Sequence, residues 1–243
     1  MVSGKYSALA GAVAREQAMA NISNNLANVN TTGFKKDRIS FESILRGSRQ
    51  TGQAKGINYS RIRTIGTDFS QGALKVTDNP LDLAIQGQGF FKIRQGKRTL
   101  YTRDGSFHLD SNGMLKTADG FSVLNESGQP VQLTETSGRK ITIAEDGGII
   151  VDGQVQDRLQ VFTVDDPAGL KKIGGNRFAL EQGTDRTAES SRIVQGSLET
   201  SNVNMMEEMV MMINSQRRFE ACHKALKSYS TIAEKNGELG TVG

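Results

Sequence analysis

The side chains capable of chemistry are few and widely separated in this 243-residue chain. It has two histidines, His108 and His223, and one cysteine, Cys222. Cys222 and His223 are adjacent, so on a helix their side chains diverge by about 100° and cannot form a reactive pair. We therefore predict no catalytic centre built on His or Cys, no cysteine-based zinc site and no intrachain disulfide.

Three short patterns resemble ligand-binding motifs, but each lacks an essential part. Gly87-Gln88-Gly89 has no third glycine and opens no helix, so it is not a dinucleotide-binding loop. Asp110-Ser111-Asn112-Gly113 begins like a calcium loop but lacks the glutamate needed at the twelfth position. Asp165-Asp166 lie in a turn before Pro167 and show no acid–base arrangement. We predict no catalytic residue, cofactor, metal or small-molecule substrate, and hence that the protein is not an enzyme.

The positive charge of the chain is confined to one segment. Residues 31–72 contain eight Lys or Arg and three acids, a charge of +5, whereas the whole chain has +4. Cations interleaved with aromatic side chains suit nucleic-acid binding, and a salt-dependent DNA-shift assay would test that alternative. No nucleic-acid-binding motif accompanies the charge. We therefore expect a solvated or subunit-packed arm and no nucleic-acid partner.

The middle of the chain has the pattern of a β-domain. Dipeptides typical of tight turns recur through it, and short apolar runs lie between them at intervals of roughly 8–12 residues. The turn dipeptides end at Gly96, Gly105, Gly113, Gly120, Gly128, Gly138, Gly147 and Gly153. This spacing predicts an antiparallel sandwich or barrel-like domain over residues 73–182.

Both ends of the chain predict long helices. Residues 3–29 have a broad, alanine-rich apolar face, and Gly33 is expected to stop the helix. In residues 203–239 the apolar positions recur on average every 3.5 residues, the period of a coiled-coil seam, and Ser201 or Asn202 is expected to cap the helix. The seam comprises Met205, Met209, Met212, Gln216, Phe219, Cys222, Leu226, Tyr229 and Ala233, with a slip of the repeat at Gln216, Phe219 and Cys222.

The predicted fold class is α+β, a mainly antiparallel β-domain with long N- and C-terminal helices that pair as a coiled coil. The predicted parts are an N-terminal core helix (1–33), an extended basic arm with little structure of its own (34–72), the β-domain (73–182), a linker (183–201) and a C-terminal core helix (202–243). A second apolar row, Met206, Val210 and Ile213, widens the first half of the seam. We expect that half to face other subunits and the second half to pair within the subunit.

No run of about 18 apolar residues is present, so we predict no membrane insertion. The apolar run at residues 8–14 is short, and the helical pattern continues through it. A cleaved signal peptide is therefore not expected.

Three groups of residues resemble signatures of the axial proteins of the bacterial flagellum, which are its rod, hook and hook-associated subunits. The N-terminal group spans 24–35 and ends in Thr31-Thr32-Gly33-Phe34-Lys35. The middle group, 82–91 and 101–107, resembles β-domain motifs of the rod and hook branch and includes Tyr101-Thr102-Arg103-Asp104-Gly105. The C-terminal group includes Gly196-Ser197-Leu198-Glu199-Thr200-Ser201-Asn202 and continues through 207–210, 212–213 and 216–217.

This resemblance implies a structural subunit of the flagellar basal-body rod, the drive shaft, that polymerises through its terminal helices. Hook proteins carry a large extra outer domain and distal rod proteins an added arm segment. Neither is visible here, so the chain is most similar to proximal rod proteins, with a distal rod or hook-type subunit as the alternative. The implied partners are copies of itself, other rod and hook subunits and the flagellar export apparatus. The implied location is the periplasmic rod, reached by type III export without a cleaved signal.

We expect the subunit contacts to come from apolar residues of both helices. The candidates are Leu9, Val13, Ile22, Leu26, Val203, Met206, Met209, Val210, Ile213, Phe219 and Leu226. A rival interpretation is an extracellular β-domain enzyme or glycan-binding module trimerised by its end helices, which requires a cleft with clustered carboxylates and aromatic rings. The chain has no Trp and an aromatic share of 6%, which argues against that rival.

Overall fold

A computed structural model describes residues 2–46, 57–134, 140–188 and 190–239. The described chain contains two long helices, α1 (Val2–Ala27) and α2 (Met205–Leu239), and a short 3-10 helix (Pro167–Gly169). The strands are β1 (Asp37–Arg46), β2 (Ile57–Thr67), β3 (Leu74–Val76), β4 (Leu83–Gln86), β5 (Phe90–Gln95), β6 (Arg98–Thr102), β7 (Phe107–Leu109), β8 (Leu115–Thr117), β9 (Ser122–Val123), β10 (Ile141–Ile143), β11 (Gly148–Val151), β12 (Gln154–Arg158), β13 (Val161–Val164), β14 (Leu170–Gly174), β15 (Arg177–Leu180), β16 (Asp185–Thr187), β17 (Arg192–Gln195) and β18 (Ser197–Glu199).

The chain divides into two compact units. The helical unit comprises Met1–Ala27, Asp37–Gly66 and Asn204–Gly243, and the β-unit comprises Asn28–Lys36 and Thr67–Val203. In the β-unit the strand pairs with a defined register are antiparallel. The α+β class and the mainly antiparallel pairing are therefore confirmed.

The largest sheet has nine strands and buries residues on both of its faces. Its order is β14-β15-β6-β5-β9-β8-β7, and β13, which pairs with β5, joins β16 to it. Successive residues of a strand point to opposite faces, and Phe90 and Phe91 accordingly enter two different apolar clusters. Leu100 and Tyr101 of β6 divide in the same way. The β-unit core therefore lies on both sides of this sheet.

Tyr101 lies in the smaller cluster beside a half-buried ion pair. Lys92 forms a salt bridge with Asp185, and its Nζ lies 3.6 Å from the centre of the Phe162 ring. Burial raises the pKa of the Tyr101 phenol to about 12, and the negative charge of Asp185 and a hydrogen bond to it act in the same direction.

Tyr101 is expected to ionise at a higher pH than an ordinary tyrosine. The pKa of the Tyr101 phenol is about 12 in the folded state, against an ordinary value of 10.0. The protonated phenol therefore contributes its full stabilisation below pH 10, and this contribution is lost as the pH rises from 10 to 12. Alkaline titration followed by tyrosinate absorbance should resolve this late component, and Tyr101→Phe should remove it. A single transition near the ordinary value in the unchanged protein would contradict the assignment.

Two segments expected to lack regular structure contain strands. In 34–72, β1 and β2 form a two-stranded sheet, and the Arg15 guanidinium of α1 lies 4.4 Å from the centre of the Phe41 ring in β1. In 183–201, β17 pairs with β4 and β18 pairs with β3. These strands are polar because only some of their positions are buried, so their sequences lack a continuous apolar run.

The turn dipeptides predicted most hairpins correctly. Six of the eight glycines have the left-handed φ that tight hairpin turns require, namely Gly96, Gly113, Gly120, Gly128, Gly147 and Gly153. Gly138 lies outside the described residues. Gly105 differs, because its φ is not positive and a Cβ there would overlap the carbonyl oxygen of Leu83. Glycine is needed at this position for a close approach of two backbones.

Candidate assembly surface and buried ion cluster

Helices α1 and α2 pack against one another antiparallel in the helical unit. A Cβ on Gly4 would meet the Tyr229 ring at 2.8 Å, and one on Gly11 would meet the Cys222 Sγ at 3.2 Å. Further along α1, the Asn25 amide donates to the Glu208 carboxylate at 3.4 Å. The partner numbers fall in α2 as they rise in α1, at the same rate, which defines an antiparallel pair. The glycines allow close approach of the two helices.

The residues of α2 that face α1 differ in phase from the predicted seam. Glu208 and Ser215 are buried, whereas Met205, Met209, Gln216 and Ala233 are exposed. The inward positions are Glu208, Met212, Ser215, Phe219, Cys222, Leu226 and Tyr229, which alternate in steps of four and three. Within the subunit, the stripe that faces α1 thus differs from the predicted seam at Met205, Met209 and Gln216, and it has no slip of the repeat. That the first half of the seam faces other subunits stays a prediction. Gly4 lies against Tyr229 and Gly11 against Cys222, so the small residues of α1 make room for this stripe of α2.

The ends of the two helices also differ from the expectation. Asn204, and not Ser201 or Asn202, caps α2, because its side chain accepts hydrogen bonds from the backbone N–H groups of Met206 and Glu207 at 3.1 and 3.3 Å. Helix α1 ends at Ala27, six residues before Gly33. Gly33 is left-handed, as expected, but it does not terminate the helix directly.

Asn25 fastens β1 to the end of α1. Its amide donates to the Asp37 carbonyl at 3.0 Å, and its side-chain oxygen accepts from the Asp37 N–H at 3.1 Å. Because the same amide also reaches Glu208, one buried side chain joins α1, β1 and α2 inside the helical unit.

Large apolar side chains point outward from both helices. On α1 the exposed ones are Tyr6, Leu9 and Val13. On α2, Met206 is 70% exposed, Val210 55%, Ile213 52% and Met209 44%. In the antiparallel pair the two groups lie at different levels, because Leu9 and Val13 are near the Cys222 level whereas residues 206–213 are near Asn25. Several large apolar side chains of the helical unit are therefore exposed, while the polar Asn25, Glu208 and Ser215 are buried in it.

The predicted contact residues fall into three classes of burial. Six are exposed, namely Leu9, Val13, Met206, Met209, Val210 and Ile213. Leu26, Phe219 and Leu226 are half-buried. Ile22 and Val203 are buried, so their side chains are not available at the surface of the subunit.

A second arrangement, in the β-unit, consists of three ions that are almost completely shielded from water. The Glu199 carboxylate lies between two cations, with Lys35 Nζ at 2.5 Å and an Arg103 guanidinium nitrogen at 2.9 Å. The Glu199 and Lys35 side chains are 0% exposed and that of Arg103 is 3% exposed. The Gly72 N–H also donates to the carboxylate at 2.8 Å.

The electrostatics of this cluster are set by the competition between burial and pairing. Burial lowers the pKa of Lys35, while the charge of Glu199 and a hydrogen bond to it oppose the shift, and Asp68 adds a smaller opposing effect. Burial likewise lowers the pKa of Arg103, again opposed by Glu199. Because burial is the larger effect on both cations, the carboxylate does not fully offset the cost of burying them.

The sequence gives no periodic signal for this cluster. Charged residues are usually exposed, and Lys35 lies within the basic segment expected to be an arm. The one available signal is position, because the three residues lie in the three separate groups that resemble flagellar signatures. Their meeting point follows only from the tertiary fold.

The described residues include no group of three or more His, Cys, Asp or Glu placed to hold a metal ion. A cavity of about 380 Å³ is lined by Gln88, Thr163, Arg186, Thr187, Ala188 and Ser190. A second, of about 610 Å³, is lined by Asp78, Asn79, Pro80, Leu81, Lys140, Ile141, Thr142, Gln195 and Gly196. These two cavities contain one carboxylate between them, that of Asp78. Neither described helix combines the length and apolar character that a membrane-spanning helix needs.

Comparison with known proteins relates three parts of the chain to flagellar families. The family "Flagella basal body rod protein" matches residues 6–35. The D1 domain of the flagellar hook protein FlgE/F/G matches residues 84–151. The C-terminal family of the flagellar basal body rod FlgEFG proteins matches residues 194–235.

Whole-length relatives agree with these matches. The flagellar basal-body rod protein FlgG of Bacillus subtilis is 36% identical over 97% of this chain and 98% of its own length. FlgG of Buchnera aphidicola is 34% identical over 98% of this chain and 100% of its own length. The flagellar basal-body rod protein FlgF of Mesorhizobium japonicum is 32% identical over 98% of this chain and 97% of its own length.

The alignments differ in length between the two kinds of relative. Those with FlgG proteins extend over 255–265 positions, more than the 243 residues of this chain, and so include positions that it lacks. The alignment with the Mesorhizobium FlgF extends over 240 positions, of which this chain lacks almost none.

Proposed function

This chain belongs to the family of flagellar basal-body rod proteins, and from that premise we propose that it assembles through the exposed apolar side chains of α1 and α2. It is a structural subunit of the rod. Large apolar side chains at 44–70% exposure on a long helix are unfavourable in water and favour contact with another protein surface. The outward-facing group Met206, Met209, Val210 and Ile213 is the single observation that carries this proposal.

The contacts are heterologous, so that they continue from subunit to subunit and build a tube instead of a closed ring. Copies of this chain and other rod and hook subunits supply the facing surfaces. Leu9 and Val13 at one level of the helix pair and residues 206–213 at another give each subunit two separate places of contact. Leu26, Phe219 and Leu226 contribute to the edges of these contacts.

Within one subunit, α1 and α2 pair as an antiparallel coiled coil. The alternation of four and three residues from Glu208 to Tyr229 supports this pairing, because it keeps one stripe of α2 facing its partner. Gly4 and Gly11 support it from the other side, since a larger residue at either position would separate the helices.

The chain occupies the proximal part of the rod. The FlgF alignment contains almost no positions that this chain lacks, whereas the FlgG alignments contain more, and this difference supports a subunit without an added arm segment. The protein is exported by the flagellar type III apparatus without a cleaved signal and lies in the periplasmic part of the basal body. It uses no cofactor and no small-molecule substrate.

Deletion of this gene tests the proposed place in the rod. Basal bodies from the deletion strain, imaged by electron cryotomography, are expected to lack the rod from its proximal part outward, and the unchanged gene is expected to restore it. Basal bodies that keep the proximal part of the rod and lack only its distal part would contradict the proximal position. A complete rod would contradict the structural role.

A further inference from the structure

The three boundary segments of the β-unit adjoin the helical unit along the chain. They are the entry segment (28–36), which follows α1, the return segment (67–72), which follows β2, and the exit segment (196–203), which precedes α2. Each could fold against the sheet separately. Their hydrogen bonds and ion pairs join them to one another instead.

The Lys35–Glu199–Arg103 cluster connects all three boundary segments to the sheet. Lys35 of the entry segment pairs with Glu199 of the exit segment and also donates to the Ser70 carbonyl of the return segment at 2.7 Å. Arg103 follows β6 and completes the attachment, because its guanidinium donates to the carbonyls of Gly87 and Ile85 at 2.7 and 3.4 Å.

Asn202 makes a second set of connections among the same segments. Its side-chain oxygen accepts from the Lys36 N–H at 2.7 Å, and its amide donates to the Asp68 carbonyl at 2.8 Å. Backbone bonds run alongside, from Gly33 N–H to Glu199 carbonyl at 2.8 Å and from Asp68 N–H to Lys36 carbonyl at 2.8 Å. Every pair of boundary segments is thus joined by at least one hydrogen bond.

We propose that the ion cluster and Asn202 form a clasp that makes the three boundary segments open and close as one local unit of the fold. Opening any one segment removes partners from the other two, which is the condition for cooperative local unfolding. The charges reinforce the coupling. Loss of Glu199 leaves two cations buried without their shared partner, a far more costly state than loss of an exposed ion pair.

Hydrogen exchange of the isolated full-length subunit, followed by mass spectrometry, tests the clasp without requiring rod assembly. Glu199→Gln removes the charge with little change of shape. Amides of all three boundary segments are expected to exchange at least about 100-fold faster, by a common factor, while β5 and β6 keep their rates. The matched control is Glu145→Gln, whose exposed pair with Arg192 at 3.2 Å should leave the boundary segments within about twofold.

Two further variants separate a charged clasp from simple packing. Adding Lys35→Met to Glu199→Gln removes one of the two unpaired cations and is expected to slow exchange again by about tenfold or more. Asn202→Ala introduces no buried charge and is expected to increase the amide exchange rates of all three boundary segments by about tenfold. If Glu199→Gln unfolds the whole β-unit, exchange of the Asn202→Ala variant shows whether the three boundary segments open together. Acceleration confined to the mutated segment, or no recovery with Lys35→Met, would overturn the proposal.

Discussion

Replacing Met209 or Val210 by aspartate is expected to abolish rod assembly and motility while leaving the isolated subunit folded. Both side chains are exposed in the subunit, so the substitution buries no charge until another subunit covers it. Burial of one such apolar side chain contributes about 1.5–3 kcal/mol, and an unpaired carboxylate in its place adds a desolvation cost. Each contact should weaken at least about 100-fold, since about 1.4 kcal/mol corresponds to a factor of ten.

Motility on soft agar and rod content of isolated basal bodies measure this effect, and thermal unfolding verifies that the β-unit is intact. The matched control is Val155→Asp, because Val155 in β12 is 67% exposed, comparable to Val210 at 55%, but lies outside the helices. Val155→Asp cells should swim normally. Motile cells carrying Met209→Asp and Val210→Asp together would contradict the assembly surface. Leu26→Asp should also prevent assembly, but Leu26 is half-buried, so that variant disturbs the helical unit as well.

Gly105→Ala is expected to cause a large loss of stability in the β-unit, although it adds a single methyl group. A Cβ at this position would lie 2.7 Å from the carbonyl carbon of Leu83 and closer still to its oxygen, where the backbone cannot move without breaking the hydrogen bond from Leu83 N–H to the Gly105 carbonyl. The expected loss in the free energy of unfolding is about 3 kcal/mol or more, a value typical of severe overpacking.

Urea unfolding of the Gly105→Ala variant and of the unchanged protein, followed by circular dichroism, measures this loss. Gly66→Ala is the control, because the position has no left-handed φ and a Cβ there would have no neighbour within 4 Å. That variant should change stability by less than about 1 kcal/mol. Equal effects of the two substitutions would show that the close approach to Leu83 does not limit residue 105.

The two helices show which structural features hydrophobic periodicity predicts and which it does not. The 3.5-residue repeat correctly predicted a long C-terminal helix, and the double apolar row correctly predicted that its first half has more apolar surface than one partner covers. The face turned toward α1 was not predictable by hydrophobicity alone. The polar Glu208 and Ser215 are buried on it, while the apolar Met206, Val210 and Ile213 remain exposed.

The β-unit shows the same division. Turn dipeptides marked most of its hairpins, because Asn-Gly and Asp-Gly favour a local backbone geometry that needs no distant partner. Strands β16, β17 and β18 were not predicted, because the formation of half-buried polar strands depends on pairing partners far away in the sequence. Gly105 was interpreted as a turn residue for the same reason, because the Leu83 carbonyl beside it is a tertiary contact.

The sequence alone determined the two terminal helices with a β-domain between them, the α+β class and, through three groups of residues, the flagellar family. These features follow from local propensity, periodicity and short motifs, each of which depends on residues that are close together in the sequence. Tertiary structure alone decided that Lys35, Arg103 and Glu199 meet, and which side of α2 is covered. Both depend on contacts between segments far apart in the sequence, since Lys35 and Glu199 are separated by 164 residues and Asn25 and Glu208 by 183. The balance between burying and pairing a charge exists only once those segments are folded together.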